Sequence, residues 1–410
     1  MTNRREFLST VLGSYTALSF TGTAPNVLLR AAVAGEIAQS DRVLVVLQMS
    51  GGNDGLNTVL PHKHDVYRKS RKVLRINSSD ALAIDKQYGF HPSLTGFASL
   101  LEAGQLGIVP AVGYPEPNRS HFESMDIWHT CLRKSADRRT GWLGSLLEQG
   151  LKTSNALSGM HVGEEKQPLA MVANKIRVPS ISSLERFRLN TKGNEQLGKV
   201  LEQALAPEPA ENENDLLGFL SSSTRSAVDA DKRLQKVRES KKKATQYPQS
   251  RLGRKLSTVS RLIQADMPTR VYYVSIDGFD THARQQNSHA ALLRQIGDAV
   301  AAFTKDLKAS GDSERTLLMT FSEFGRRVSE NASEGTDHGT SGPMFIVGDR
   351  VRSGFLAPHA DLAKLKDGDL AFRTDFRSVY TSLIEDWFGV KDSTTLLGGE
   401  YQKLKQVLKA

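Results

Sequence analysis

Five short stretches of the chain hold residues whose type and spacing could do chemistry. Asp280 and His282 stand two apart in Asp277-Gly278-Phe279-Asp280-Thr281-His282. A carboxylate and an imidazole at that spacing on an extended segment can converge on one divalent ion. Equally, Asp280 can orient His282 as an acceptor behind it, or the pair can be an ordinary turn. Asp337 and His338 are adjacent in Gly335-Thr336-Asp337-His338-Gly339, ahead of an apolar run, and Glu323 follows another apolar run in Ser322-Glu323-Phe324-Gly325-Arg326-Arg327. Asp54 closes Ser50-Gly51-Gly52-Asn53-Asp54, where glycines let backbone turn sharply and approach a ligand, or simply make a tight capped turn. In Arg119-Ser120-His121-Phe122-Glu123, Ser120 fits a helix N-cap with Glu123 three residues on, the reciprocal capping pattern. That same geometry presents a hydroxyl where orphan N–H groups and the helix dipole favour an anion, with Arg119 beside it as a second anion partner.

The elements that must position these groups are visible as apolar, β-rich runs at 43–47, 106–112, 169–172, 271–276, 316–321 and 344–347. Helical patterns lie between most of them, notably at 288–307 and 375–388. Strands without polar alternation, separated by helices, predict a mainly parallel sheet covered on both faces, a three-layer α/β/α domain. Asp54, Ser120, Asp280, His282, Glu323, Asp337 and His338 all stand beside predicted strands, on what would be one edge of that sheet, where open α/β sheets carry their sites. The stretch 193–266 breaks the rhythm and is expected to be a helical insertion within a domain spanning 41–410. Asp375 and Gly389 punctuate the 375–388 helix as cap and stop, with Tyr380, Leu383 and Trp387 at core-facing intervals.

Composition narrows the class. The single cysteine, Cys131, excludes an internal disulfide framework. The formal charge of +9 resides partly in the N-terminal segment and partly in 231–243, a charge run that reads as a solvated helix face. No aromatic residues interleave with that run, so a nucleic-acid partner is not expected. Residues 1–34 combine Arg4-Arg5, a modest apolar stretch and a small-residue end at Ala32-Val33-Ala34. This is the pattern of a cleavable twin-arginine signal, which implies the twin-arginine export machinery, a periplasmic or secreted location and no stable membrane span after cleavage.

The order of these residues resembles the alkaline phosphatase, sulfatase and cofactor-independent phosphomutase superfamily. More closely, the signal together with Ser50 to Asp54, Arg119 to Phe122, Gly278 to His282, Ser322 to Arg326 and Asp337 to Gly339 resembles an exported bacterial family known only as domain of unknown function 1501. The superfamily resemblance implies an alkaline-phosphatase-like fold and one or two divalent ions (zinc, manganese or calcium). Asp54 and Glu323 would hold one ion with the Ser120 oxygen, and Asp280, His282 and His338 the other. Asp337 would be a ligand or the partner of its neighbour, Ser120 the nucleophile and Arg119 the neutraliser of non-bridging oxygens. The chain departs from the superfamily at Glu323-Phe324, where an Asp-His pair is usual, so one imidazole is missing. His121 could substitute from the nucleophile loop, which also offers Ser124 as an alternative nucleophile.

Two functions follow from the resemblance. One is an exported metal-dependent hydrolase of phosphate or sulfate esters, small or polymer-borne, working through a serine. The other is a non-catalytic exported scaffold or binding protein that keeps the fold. A metal-free serine esterase fits poorly, since no Gly-X-Ser-X-Gly elbow is present.

Overall fold

The structure, a computed structural model, describes residues 41–134, 136–153, 156–184 and 245–409. The expected signal over 1–34, the 231–243 charge run and most of the expected insertion lie outside the described residues.

Among the described residues, twelve strands alternate with helices. In chain order the strands are β1 (Val43–Met49), β2 (Val59–Leu60), β3 (Leu82–Ala83), β4 (Gly89–Phe90), β5 (Leu106–Gly113), β6 (Gly159–Val162), β7 (Ser180–Ile181), β8 (Val271–Ile276), β9 (Thr316–Phe321), β10 (Gly342–Val347), β11 (Gly354–Phe355) and β12 (Thr374–Asp375). The helices are α1 (Asp65–Ser70), α2 (Thr95–Glu102), α3 (His121–Thr130), α4 (Trp142–Ser145), α5 (Arg251–Gln264), α6 (Gln285–Ser310), α7 (Phe376–Ser382) and α8 (Ser393–Leu397). Nine strands form one sheet in the order β11-β5-β10-β9-β1-β8-β6-β7, with β12 also pairing β5. All its pairings are parallel except those of β10, which runs antiparallel to both β5 and β9.

The period-2 geometry of β1 divides the core. Val43, Val45, Leu47 and Met49 join one apolar cluster with residues of α2, α5 and α6. Leu44 and Val46 join the other, with α3, α4, α7 and α8. Helices therefore cover both faces, and the expected three-layer α/β/α architecture with a mainly parallel sheet is observed. The helix α5 shows why such a layer forms. Ser250 caps it by accepting from the Gly253 N–H, and Leu252, Leu256, Val259, Leu262 and Ile263 make one buried stripe. Each such side chain contributes about 1.5–3 kcal/mol on burial. Although it falls within the expected insertion, 193–266, α5 is a helix of the main layer.

One strand expectation is corrected. Residues 169–172 form a single helical turn, Leu169–Met171, and the strand beside β8 is β6. Pattern reading misses β6 because His161 interrupts its apolar run; its ring is buried all the same, against the Ser180 hydroxyl. The expected 288–307 helix is longer, as α6, and ends at Gly311 in the left-handed region (φ 80°). The 375–388 segment is α7 continued by a wider π-type turn over Leu383–Trp387, with the Asp375 carboxylate capping the Arg377 N–H. Tyr380, Leu383 and Trp387 are buried.

Because β8 and β9 flank β1 in parallel, the loops leaving all three emerge at one rim, and the loop from β5 reaches the same rim through the start of α3. His338 precedes its strand rather than following it. Only the antiparallel direction of β10 brings it to the rim where the other groups lie.

Candidate functional site

Backbone contacts bring the rim loops together first. The Ser50 N–H donates to the Ile276 carbonyl (2.8 Å), and the Phe279 N–H returns to the Ser50 carbonyl (3.1 Å). Gly51 sits at φ 115° so close to the next loop that a Cβ there would lie 2.4 Å from the Asp280 nitrogen. Only glycine fits that approach. Arg326, with no exposed side-chain surface, then stitches the loops. It donates to the carbonyls of Gly52 (2.7 Å), Phe279 (3.0 Å) and Thr336 (2.7 Å), to that of Gly51, and to Asp280 Oδ1 (2.6 Å).

Around that carboxylate oxygen three imidazoles gather. His282 Nε2 lies 3.0 Å from Asp280 Oδ1, His338 Nε2 3.1 Å and His121 Nε2 3.5 Å. The Nε2 atoms of His282 and His338 are 2.9 Å apart. Each ring is held from behind through Nδ1: His338 against the Arg119 carbonyl (2.8 Å), His282 against Asp337 Oδ1 (3.4 Å) and His121 against Glu323 Oε1 (2.8 Å). A carbonyl or carboxylate accepts only, so each Nδ1 carries a proton, and a ring in its neutral form turns an Nε2 lone pair inward. Arg326 Nη1, 3.4 Å from His282 Nε2, points a donor at that lone pair. Lone pairs facing one another and a carboxylate repel unless positive charge sits among them, as a proton or a cation. The buried His121 Nε2 makes no hydrogen bond at all. Among the described residues, donor atoms of His121, Asp280 and His338 form the one group of three or more that lies within 4.8 Å of one another.

The electrostatics agree. Burial pushes the Asp280 carboxyl up, but hydrogen bonds from Arg326 and His338 outweigh it and bring it down to about 2. The hydrogen bond to Glu323 holds His121 above the usual imidazole range against the opposing effect of burial. Asp337 is held low chiefly by the Asn331 amide, which donates to it at 3.0 Å.

Several residues singled out in the sequence stand elsewhere. Asp54 is not among the converging donors; it is buried and grips Arg71 bidentately, at 2.6 and 3.0 Å, and also accepts from the Gln285 amide. Burial pushes the Asp54 carboxyl up, yet Arg71 and Gln285 hold it below the ordinary range. Through Gln285 Oε1, which accepts from Thr281 (3.0 Å) and Thr336 (2.6 Å), Asp54 braces the loops that carry His282 and His338. Glu323 stands behind His121 and accepts from the Gly51 N–H (2.9 Å). Asp337 backs His282, not its neighbour His338. Ser120 is the N-cap residue of α3, but its hydroxyl makes no capping bond, and Glu123 is taken by Arg138 (3.0 Å), so the capping box is not formed. The Ser120 side chain is exposed, between Arg119, whose carbonyl touches His338, and His121. The Arg119 guanidinium is 42% exposed and pairs with the buried Asp369, which Arg327 also approaches at 3.3 Å. Ser124 is buried between the Tyr114 hydroxyl and the Glu323 carbonyl, which removes it as a nucleophile. Sequence reasoning missed Arg71 and Gln285 altogether, and no motif marks either. A mostly apolar cavity of about 40 Å³ lined by Leu56, Val59, Tyr88, Pro343, Leu362 and Arg326 reaches none of the three imidazoles.

The family model described as "Protein of unknown function (DUF1501)" matches residues 41–368. The chain belongs to that family. No curated protein matches it. Among solved structures it is similar to the PsFucS1 sulfatase from Pseudoalteromonas sp. (10% identity, 89% of this chain and 74% of that one, TM-score 0.37). It is also similar to the alkaline phosphatase of the Antarctic bacterium TAB5 (11%, 77% and 94%, TM-score 0.33). A third is the C-terminal periplasmic domain of EcEptC from Escherichia coli in complex with Zn (11%, 75% and 73%, TM-score 0.34). Likenesses this remote assign no activity to this chain.

Proposed function

We propose that this family member is an exported metal-dependent hydrolase of phosphate or sulfate esters, with Ser120 as its nucleophile. The observation that supports this best is the inward convergence of three Nε2 lone pairs on Asp280, one of them buried without a partner, directly beside an exposed serine at a helix N-terminus. His121, His282, His338 and Asp280 would hold the ion, and three imidazoles with one carboxylate favour zinc or manganese over calcium, which prefers oxygen. A divalent ion bound there supplies Lewis-acid polarisation of an ester oxygen. Glu323, Asp337 and the Arg119 carbonyl fix the ring orientations that keep the donors aimed. The N-terminus of α3 presents backbone N–H groups and a positive dipole end to an anionic ester, and Arg119 and Arg327 line the same rim with guanidinium charge. An export signal at 1–34 would deliver the enzyme to the periplasm or the medium, and no helix among the described residues is long and apolar enough to cross a membrane.

A panel of aryl phosphates and aryl sulfates, assayed with metal-replete protein, tests this. Turnover of at least one ester is expected, falling at least about a thousandfold in Ser120→Ala with metal content unchanged. Failure of the whole panel with fully metallated protein would point instead to the exported binding scaffold.

A further inference from the structure

The superfamily scheme gives Asp54, Glu323 and Ser120 a second ion, and the structure disagrees with that assignment. Resting on the metal-dependent reading above, we propose that the site is built for a single divalent ion, with the Arg71 guanidinium standing permanently where Asp54 would otherwise need a second cation.

Two observations carry this. First, Asp54 has no spare capacity. Both its oxygens are engaged by Arg71, one also accepts from Gln285, and the side chain is 1% exposed. Arg71 is itself fully buried and is fixed by two further bonds, to the carbonyls of Val328 (2.7 Å) and Arg327 (2.9 Å). Guanidinium does not lose its proton in proteins, so unlike an imidazole it cannot yield its place to a metal by titrating. Second, Glu323 is committed through one oxygen, which accepts from the Gly51 N–H and His121, while the other lies 3.2 Å from a Ser322 hydroxyl that donates to the Met49 carbonyl. Ser120, the third ligand of that scheme, is exposed on the rim while both carboxylates are buried.

The test is metal stoichiometry. Full-length mature protein, loaded with zinc and freed of excess, is analysed by native mass spectrometry and by elemental analysis against protein concentration. One equivalent per chain is expected, and two equivalents would overturn the proposal while leaving the metal-dependent reading intact. No bound metal would overturn both. The double variant Asp54→Asn with Arg71→Met removes the pair without stranding a charge; its affinity can fall because Asp54 braces the loops carrying His282 and His338, but the protein that remains folded should still bind one equivalent of zinc. Should that variant drop from two equivalents to one, Asp54 is a ligand and the proposal fails. His121→Ala is the opposite control, in which the single equivalent should be lost or weakened at least about tenfold.

Discussion

At Asp280 one carboxylate oxygen accepts from a guanidinium and is approached by three imidazoles, each braced by an acceptor behind it. Replacing a brace should therefore act on metal affinity more than on the fold. Glu323→Gln frees the His121 ring, and a rise in zinc Kd of about ten- to a hundredfold is expected by competition titration with a chromogenic chelator. Asp54 acts through the fold instead. Asp54→Ala strands Arg71 in the interior, and urea denaturation should show a loss of about 3–5 kcal/mol, with an unchanged stoichiometry of bound zinc in the protein that remains folded. Because the Asp54 carboxyl is depressed in the folded state, its stabilisation is present above the ordinary carboxylate range and lost as pH falls through the folded value. That Asp280, His282 and His338 meet at one rim was legible in the sequence because residues beside strand ends converge in this architecture. His121 was legible only as a substitute for a missing imidazole. Asp54 was misread because the partner that claims it, Arg71, stands after a short helix with nothing in its neighbourhood to mark it.

Loops here approach one another so closely that side-chain volume at two glycines decides the geometry of the elements. A Cβ at Gly51 would meet the Asp280 nitrogen at 2.4 Å, and one at Gly335 would meet the His282 carbonyl carbon and oxygen at 2.2 Å. Gly51→Ala and Gly335→Ala should each displace a ligand-bearing loop. Isothermal titration should show zinc affinity weakened at least about tenfold, while far-ultraviolet circular dichroism stays that of wild type. The strands themselves were readable as unbroken apolar runs, and five of the six expected runs are strands. The sixth failed for a physical reason: β6 carries a buried histidine whose Nδ1 is engaged by Ser180, whereas the more apolar 169–172 run is used to pack beneath α3 and α4 rather than to join the sheet. The direction of β10 was not readable at all. Strand polarity depends on pairing, and only the pairing explains how a histidine before a strand reaches the rim with Asp280 and His282, which follow one.

For the molecule as a whole, the rim loops are joined by buried polar groups rather than by apolar packing, so a cation bound only by the folded site should stabilise the entire chain. Zinc at a hundredfold excess over its Kd would contribute about 2.7 kcal/mol, and a chelator should lower the thermal midpoint accordingly in wild type but not in a variant lacking His121. The layered architecture was legible from alternation of apolar runs and helices, since any such chain must cover both faces of its sheet. The most direct single measurement is an anomalous difference map, collected at the zinc edge from crystals of the metal-replete protein. One peak is expected per chain, about 2.0–2.2 Å from Nε2 of His121, His282 and His338 and from an oxygen of Asp280. A map with no peak among those four side chains, or with a peak bound to Asp54, would contradict the site described here.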